Sequence, residues 1–441
     1  MPHTSWFGNP GRHAARRRTV GAIGVVVAAG ALLAAGPAAQ AFTGESAHAT
    51  TKPVAAKPVM RQLTPAVRAQ LDSAIKDVLH TTGTPGVTVG LWAPGKGSYV
   101  HAFGTSDKTT NAPMSPKFNM RVGSVTKTFT VTALLELVDQ KKVKLDDPIS
   151  KYVPGVPEGN RITLRHLAEM RSGLFNFMRD PGFGEIITAD PNHEFTMDEL
   201  LAFSFKHPVA FTPGTQFQYS NTNTHLLSMV IQKVTGQSFN SYVKRHVLKP
   251  AGLTNTFMPK GTEFPAPRAH GYTDQTADGS IVDATEWRPS ASGPSGAMIS
   301  NLKDLRSWSS ALVKGTLLSP ATQAERMKMK SVGLPGLSYG LGVFNNHGWI
   351  GHNGSLPGYQ TVMVYLPAAK ATLVVHTTSD VVFKNEEPSM MFARAVTRIV
   401  TPRNVYDIRL PKPAAASAAK APGSVPASPA AVSPKAAASR P

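Results

Sequence analysis

Apolar residues recur at helical spacing in the first regular segment of the chain. Thr64 is the predicted N-cap and Pro65 the first residue of a helix that runs to about residue 80. This pattern predicts an amphipathic helix that packs on a core through one side. Its apolar face consists of Val67, Leu71, Ile75 and Val78.

The pattern then changes to an alternation of apolar and polar positions. Residues 86–94 and 98–106 alternate on either side of a turn at 94–97, which predicts a β-hairpin. After the hairpin, an apolar run at 125–138 predicts a buried helix that begins near Ser124.

The middle of the chain and its last third differ in pattern. Residues 150–285 combine loops with helical pieces, the clearest of which are 163–170 and 220–236. From about residue 340, four stretches with the composition of strands follow one another. Strands at both ends with helices between them predict an α+β fold. In it, an antiparallel sheet built from both ends of the chain is flanked by helices and accompanied by a mostly helical insertion.

The first 41 residues have the layout of a secretory signal peptide. Four arginines at 12–18 precede an uncharged run at 20–35, and cleavage is expected after Ala41. An uncleaved membrane anchor is the alternative, although sixteen residues are short for a membrane span. The arginines are compatible with either Sec or twin-arginine export. We therefore expect a secreted protein, with association to the cell wall as a further option.

Two other segments have the composition of unfolded chain. Residues 42–60 are small and polar, as is typical of a linker. Residues 411–441 consist almost entirely of Ala, Pro, Ser, Lys and Gly, which predicts a disordered tail. The folded domain is therefore expected at 61–410, with no later segment that could span a membrane.

Composition narrows the chemistry of the folded part. The chain has no cysteine, which excludes thiolate nucleophiles, cysteine-based zinc sites and iron–sulfur clusters. Its formal charge is +19, of which four charges lie in the signal and four in the tail. The remaining basic excess suits the anionic polymers of a bacterial wall. The sequence contains no basic run interleaved with aromatic residues, the pattern typical of nucleic-acid binding, so we expect no nucleic-acid partner.

Ser124 and Lys127 form one of five Ser-x-x-Lys pairs in the chain. This spacing puts both side chains on one helical face, where a lysine can activate a serine nucleophile. Gly123 permits a tight entry into the helix, and desolvation of a buried Lys127 would favour its neutral amine. The competing interpretation is an ordinary serine N-cap followed by a solvated lysine. The other pairs are Ser73/Lys76, Ser241/Lys244, Ser300/Lys303 and Ser417/Lys420.

Two further motifs follow in the chain. Tyr219 and Asn221 form the only Tyr-x-Asn, just before a predicted helix, and the phenol could act as a base if a lysine charge lowered its pKa. His352-Asn353-Gly354 is the only His-x-Gly among fourteen histidines, on a predicted strand. Gly354 would let a ligand approach the backbone, and the N–H of Ser355 could face an oxyanion. Taken singly, each motif is compatible with a structural tyrosine or a turn histidine.

In this order, the three motifs resemble the signature of the serine β-lactamase and penicillin-binding superfamily. The tyrosine and the His-x-Gly make the chain similar to class C β-lactamases and Streptomyces-type D-alanyl-D-alanine carboxypeptidases. The likeness extends over about 118–366, in segments such as "FNMRVGSVTKTFT", "ITLRHLAEMRSGL" and "GHNGSLPGY". It implies a β-lactamase/transpeptidase-like fold and neither a metal nor an organic cofactor.

The resemblance also implies a role for each motif residue. Ser124 would attack a carbonyl and become acylated, while Lys127 and Tyr219 would shuttle its proton. Asn221 would hold the amide of the substrate, and His352 would stand near the tyrosine. The backbone N–H groups of Ser124 and Ser355 would form the oxyanion hole, beside Asn353 and Gly354.

Two positions depart from the family pattern. The middle of the third motif is usually Thr or Ser and is Asn353 here. The arginine that binds a terminal carboxylate in the carboxypeptidases, shortly after "YGLG", is missing. His347 and Arg288 are the residues that could replace it.

The sequence therefore predicts a secreted, monomeric serine hydrolase that forms an acyl-serine. A D-alanyl-D-alanine carboxypeptidase-like enzyme acting on wall peptides and β-lactams is the first interpretation. A β-lactamase, an esterase and a D-amino-acid amidase are alternatives, because one acylation site serves them all. The expected partners are small peptides, β-lactams and peptidoglycan. A non-catalytic binder of penicillin or wall fragments and a polyanion-binding protein are the readings outside the enzyme class.

Overall fold

The structure is a computed structural model, and it describes residues 59–408. The predicted signal peptide at 1–41, nearly all of the 42–60 linker and the 411–441 tail lie outside the described residues. No helix within the described part is long and apolar enough to cross a membrane.

Thirteen strands and eleven α-helices make up the described part of the chain. The strands are β1 (Gly86–Ala93), β2 (Gly97–Asp107), β3 (Ala112–Pro113), β4 (Met120–Arg121), β5 (Tyr272–Thr273), β6 (Val282–Asp283), β7 (Ile299–Ser300), β8 (Lys330–Ser331), β9 (Leu337–Tyr339), β10 (Phe344–Asn346), β11 (Trp349–Leu356), β12 (Tyr359–Leu366) and β13 (Ala371–Thr377). The helices are α1 (Pro65–Thr82), α2 (Thr126–Asp139), α3 (Leu164–Ala168), α4 (Pro181–Ala189), α5 (Met197–Phe205), α6 (Asn221–Thr235), α7 (Phe239–Val243), α8 (Gly293–Gly296), α9 (Leu302–Lys314), α10 (Pro320–Arg326) and α11 (Pro388–Val400). A 3₁₀ turn, Gly123–Val125, precedes α2, and a π-helical turn, Lys244–Leu248, follows α7.

Nine of these strands form one antiparallel sheet, in the order β3-β2-β1-β13-β12-β11-β10-β9-β8. The two ends of the chain meet where β1 pairs with β13, with Val87 opposite Thr377. Helices α3 to α7 lie between these two sets of strands in the sequence. The predicted α+β class and the sheet drawn from both ends of the chain are therefore confirmed.

The centre of the sheet is buried on both faces, because helices cover each side. Helices α1 and α11 pack on one face, and α9 packs on the other. Alternate residues of β12 enter different cores: Val362 and Val364 join the cluster of α1 and α11, whereas Met363 joins that of α2, α6 and α9. Every residue of β12 and β13 is buried as a result.

Helix boundaries follow the capping signals in the sequence. The side chain of Thr64 accepts a hydrogen bond from the N–H of Val67 at the start of α1. Helix α6 ends at Gly236, which has a φ of 67° and so adopts the left-handed conformation that favours glycine. The predicted helices at 64–80 and 220–236 are thus found within two residues of their expected bounds.

The turn before α2 lies directly on β11, and two glycines permit this contact. An ideal Cβ on Gly354 would lie 2.1 Å from the carbonyl oxygen of Val122 and 2.7 Å from the nitrogen of Ser124. An ideal Cβ on Gly123, whose φ is 54°, would lie 2.6 Å from the nitrogen of Ser355. Any side chain at either position would therefore push the turn away from the strand.

Substitution of Gly354 tests this backbone contact. We expect Gly354→Ala to lower the free energy of unfolding by about 1–3 kcal/mol, because the new methyl group meets backbone atoms that cannot rotate away. Gly261→Ala is the control, since its nearest neighbour would be a side-chain oxygen at 3.5 Å. Urea unfolding followed by circular dichroism measures both; equal stability of the two variants would contradict the constraint.

Candidate active site

Ser124 and Lys127 lie at the start of α2, within hydrogen-bonding distance of each other. The Nζ of Lys127 is 3.0 Å from the Oγ of Ser124 and is fully buried. It is also 2.7 Å from Oδ1 of Asn221 and 2.8 Å from the carbonyl oxygen of Ser295. The three contacts bring α2, α6 and α8 together around one amine.

Burial holds the pKa of Lys127 well below its ordinary value, because an ammonium loses its hydration in this position. A neutral amine has two N–H donors and one lone pair. Asn221 Oδ1 and the Ser295 carbonyl can only accept hydrogen bonds, so they take the two N–H groups. The lone pair then points at the hydroxyl of Ser124, which is the arrangement that a general base needs.

Tyr219 lies beside this amine, with its ring centroid 4.9 Å from the Nζ of Lys127. Its hydroxyl is buried and has no hydrogen-bond partner among residues 59–408. Burial raises the pKa of Tyr219. The nearby Ser124 hydroxyl opposes this increase only in part, and the two hydroxyls do not form a well-aligned hydrogen bond. The tyrosine is thus a neutral phenol in the free protein, so a proton shuttle through it would pass the proton on rather than start with a phenolate.

Asn221 stands at the N-terminus of α6, and its amide is held on both sides. Oδ1 accepts from Lys127, while Nδ2 is 3.3 Å from Oδ1 of Asn176 and 3.0 Å from the sulfur of Met178. Asn176 also accepts from the backbone N–H of Asn221 at 3.3 Å. Asn176 was missed by sequence reasoning. Its only signal is its position between Phe175 and Phe177, since a polar residue buried among aromatic ones usually has a hydrogen-bond partner.

His352 lies on β11 with 1% of its surface exposed. Burial, followed by the nearby Lys127, lowers the pKa of His352 to about 3, so the ring is neutral. Its Nδ1 contacts the carbonyl oxygen of Asn353, which can only accept, so Nδ1 carries the proton. Nε2 is then free to accept from the hydroxyl of Tyr339 at 3.3 Å. Tyr339 was also missed, because nothing in "YGLGVF" shows that it faces a histidine thirteen residues later.

The N–H groups of Ser124 and Ser355 lie where β11 meets the 3₁₀ turn. Leu356 pairs with Tyr359 across a two-residue turn, and in an antiparallel pair every second residue exchanges hydrogen bonds with its partner. Leu356 and Gly354 therefore bond to β12, whereas the N–H of Ser355 between them points away from β12. Ser124 belongs to the first turn of its helix, where N–H groups lack partners within the helix. Gly123 and Gly354 keep these two donors close together, as an oxyanion hole requires.

Asn353 contacts a carboxylate that sequence reasoning did not single out. Its Nδ2 is 3.4 Å from Oε2 of Glu387, the residue that precedes α11. Burial raises the pKa of Glu387 to about 7, and the nearby charge of Asp380 contributes to the increase. In the sequence, Glu387 is one of two adjacent glutamates before a proline and has no feature that points to a site.

These residues surround a cavity of about 580 Å³. Seven of the predicted site residues line it, whereas Lys127 lies beneath Ser124 and is not part of the wall. Its walls also include Phe183, Trp287 and Phe344, which give the cavity a largely apolar surface. No group of three His, Asp or Glu side chains that could hold a metal occurs within 59–408. The lining site residues are Ser124, Tyr219, Asn221, His352, Asn353, Gly354 and Ser355.

The two residues expected to replace the missing arginine, His347 and Arg288, occupy different positions. His347 is in the turn between β10 and β11 and does not line the cavity. Arg288 does line it, but its NH1 is 2.9 Å from Oε2 of Glu194. Arg121 also lines the cavity and is 2% exposed, and its NH2 donates to the carbonyl oxygens of Thr285 and Trp287. Its Nε and NH1 have no partner among residues 59–408, so Arg121 is the buried cation of the wall that can still bind a carboxylate.

The described rival Ser-x-x-Lys pairs lie away from the cavity. Ser73 is exposed on α1, and Ser241 of α7 is hydrogen-bonded to Ser238. Ser300 of β7 is hydrogen-bonded to Thr256. Ser417 lies outside the described residues. Within the described part, only the Ser124 pair is joined to the other two motifs.

A protein-family model described as Beta-lactamase matches residues 71–434 of the chain. The protein flp of Staphylococcus aureus (strain MRSA252) is 26% identical over 330 residues, which cover 71% of this chain and 63% of that relative. The chain thus spans less than two thirds of the length of this curated relative.

Two solved structures are similar to the chain in fold and in sequence. A D-stereospecific amidohydrolase from Streptomyces sp. is 29% identical, covers 71% of this chain and 94% of its own, and has a TM-score of 0.66. The D-amino acid amidase of Ochrobactrum anthropi SV3, solved with L-phenylalanine amide, is 27% identical, covers 76% and 97%, and has a TM-score of 0.67.

Removal of the buried amine tests its role as a base. We expect Lys127→Ala to slow acylation of the protein by a fluorescent penicillin by about 10²–10⁴-fold, because the amine that takes the serine proton is gone. Ser73→Ala, which alters an exposed Ser-x-x-Lys, is the matched control and should acylate at the parental rate. An unchanged rate in Lys127→Ala would exclude Lys127 as the base.

The buried carboxyl of Glu387 should make stability depend on pH. Since its pKa rises from 4.5 to about 7 on folding, the native state loses stability relative to the unfolded chain as pH rises through this window. Glu387→Gln removes this loss, so its stability relative to the parent should grow by about 1–3 kcal/mol between pH 4.5 and pH 8. Urea unfolding at both pH values measures the difference, with the exposed Asp274→Asn as control. A constant difference would show that Glu387 is not desolvated.

Proposed function

The chain belongs to the β-lactamase family, and from this premise we propose that it hydrolyses amide bonds next to D-amino acids through an acyl-serine intermediate on Ser124. The fold and the amidase neighbours support a serine hydrolase of this superfamily. The observation that carries the proposal is the buried Lys127 amine, 3.0 Å from the serine hydroxyl and oriented by two acceptors.

In the proposed acylation step, Ser124 Oγ attacks the amide carbonyl as Lys127 takes the hydroxyl proton. The carbonyl oxygen becomes an oxyanion that accepts hydrogen bonds from the N–H groups of Ser124 and Ser355. Collapse of this intermediate breaks the C–N bond, and the leaving amine needs a proton. The neutral phenol of Tyr219, next to Lys127, can relay that proton from the lysine. Water then cleaves the acyl-serine ester and restores the hydroxyl.

Within this class, the cavity favours an amidase over a carboxypeptidase. The sequence interpretation, a D-alanyl-D-alanine carboxypeptidase, requires a cation for the free carboxylate at the end of the peptide. Arg288 is paired with Glu194, and the buried Arg121 is anchored through NH2 to the carbonyl oxygens of Thr285 and Trp287. The ionisable group beside Asn353, next to the oxyanion site, is the acid Glu387. An amide of a D-amino acid needs no such cation, so we take it as the principal substrate and wall peptides as the second candidate.

We also propose that this chemistry takes place outside the cytoplasm, in a monomer. The arginine-rich start, the apolar run at 20–35 and the Ala-x-Ala at 39–41 support export. A mature N-terminus at Phe42, determined by mass spectrometry of the culture medium, tests it.

Three substrates separate the candidate activities. We expect Ser124-dependent release of ammonia from D-phenylalaninamide, slower turnover of an N-acylated D-Ala-D-Ala peptide and a long-lived adduct with fluorescent penicillin. Ser124→Ala should abolish all three reactions, and Ser73→Ala should leave them unchanged. L-phenylalaninamide controls for stereospecificity.

The outcomes have distinct meanings. Faster release of D-alanine from the peptide than of ammonia from the amide would favour the carboxypeptidase. Rapid turnover of a chromogenic cephalosporin would favour a β-lactamase. Activity that persists in Ser124→Ala would refute the proposed nucleophile.

A further inference from the structure

Glu387 is a buried acid in the cavity wall that its own protein leaves nearly without partners. Its side chain is 2% exposed and lines the cavity. The amide of Asn353, 3.4 Å from Oε2, is its hydrogen-bond donor, and no donor among residues 59–408 contacts Oε1. A carboxylate in this state has lost hydration without gaining equivalent bonds, which costs free energy unless a ligand supplies them.

Helix capping does not explain this residue. Glu387 is at the N-cap of α11, where an acidic side chain usually accepts from the first N–H groups of the helix. Here the side chain makes no capping bond, and the N–H of Ser389 instead donates to Oε1 of Gln360 at 3.1 Å. The carboxylate is therefore turned away from its helix and toward the cavity.

A second carboxylate in the same wall, Asp380, has several hydrogen-bond donors, although burial still raises its pKa to about 6. Asp380 accepts from the N–H of Gly358 at 2.8 Å, from Thr273 at 3.2 Å and from Gln275. These bonds tie the loop before β6 to the β11–β12 turn, so Asp380 has a structural role. Glu387 has no equivalent set of donors.

No cation of the described chain neutralises Glu387. Lys127 is engaged by three neighbours, and Arg288 is paired with Glu194. Arg121, the other arginine of the wall, donates to the carbonyl oxygens of Thr285 and Trp287. Lys384 is exposed at the cavity rim, with its Nζ 5.1 Å from the ring centroid of Phe383, and it forms no ion pair with Glu387. Burial accordingly raises the pKa of Glu387 to about 7, a level from which a bound cation would bring it down.

The carboxylate of Glu387 lies close to the residues of the proposed oxyanion site. Its one partner, Asn353, is followed in β11 by Gly354 and Ser355, which form the oxyanion site. Glu387, Ser124 and Ser355 line the same cavity, so a ligand that fills it can contact the carboxylate while its carbonyl occupies the oxyanion site.

We propose that Glu387 selects substrates that carry a primary ammonium group, which it binds as an ion pair while the scissile carbonyl lies at Ser124. This inference rests on the proposed acyl-serine chemistry and names its substrate class. The ammonium has two possible sources: the α-amine of an N-terminal D-amino acid, or the side-chain amine of a lysine-like residue. A ligand of this kind donates the hydrogen bonds that the carboxylate lacks and offsets its buried charge.

Paired substrates that differ only in the amine test the proposal. D-phenylalaninamide and its N-acetyl derivative share the scissile amide, and Nα-acetyl-D-lysinamide moves the ammonium to the side chain. In the full chain, we expect Glu387→Gln to lower kcat/KM about 10- to 100-fold for the substrate whose ammonium it binds. The N-acetyl-D-phenylalaninamide rate should change by less than about threefold, since an isosteric amide leaves the oxyanion site intact.

An anionic probe adds a change in the opposite direction. Glu387→Gln should speed acylation by a carboxylate-bearing penicillin, because the negative charge beside Asn353 is gone. A variant that is merely misfolded would lose both reactions. Asp274→Asn removes an exposed carboxylate at the same cavity rim and should shift neither rate by more than about twofold.

Each outcome is decisive. Loss confined to D-phenylalaninamide supports the α-amine, and loss confined to Nα-acetyl-D-lysinamide supports the side-chain amine. Equal loss with all substrates, as expected for a residue that activates the hydrolytic water, would overturn the proposal, and so would unchanged ratios. If no substrate or penicillin reacts in a Ser124-dependent way, the proposed function itself fails, whatever Glu387 does.

Discussion

The contact between the 3₁₀ turn at Ser124 and strand β11 is the constraint on which the site depends. Two glycines, Gly123 and Gly354, let the backbones approach so closely that a Cβ at either position would overlap backbone atoms. The turn comes from the first third of the chain and the strand from the last third, so the contact exists only because β1 pairs with β13 in a single sheet. It brings the serine hydroxyl and two backbone N–H donors to one point without the help of any side chain.

Desolvation then determines the chemistry of the side chains around that point. Burial lowers the pKa of Lys127 and favours its neutral amine, whose lone pair is left for Ser124 because two acceptors take its N–H groups. The same burial keeps Tyr219 protonated and His352 uncharged. Burial thus favours the uncharged form of each of these groups. The ammonium and the oxyanion that form when the proton moves from serine to lysine are stabilised by hydrogen-bond partners already in place.

Glu387 stands apart from this pattern, because it is buried, acidic and barely bonded. A protein that was selected for stability alone would gain from an uncharged residue there, so the acid is better explained by something it binds. The trade-off between a buried, partly protonated carboxyl in the free state and a paired one in the complex is characteristic of functional sites. It also places an acid beside Asn353, whereas an enzyme built for terminal carboxylates needs a cation next to the scissile bond.

Local sequence was sufficient for the regular elements and for the nucleophile. Helices α1 and α6 follow from apolar periodicity and from caps at Thr64 and Gly236, and the three motifs pointed to residues that the fold brings to one cavity. Asn176, Tyr339 and Glu387 could not be found in this way, because each acts through a partner 13 to 45 residues distant that no periodicity or cap connects to it. The sequence determined which groups are present and how each segment folds. Only the tertiary structure decided which groups lose their water and which neighbours replace it, since burial depends on the whole chain.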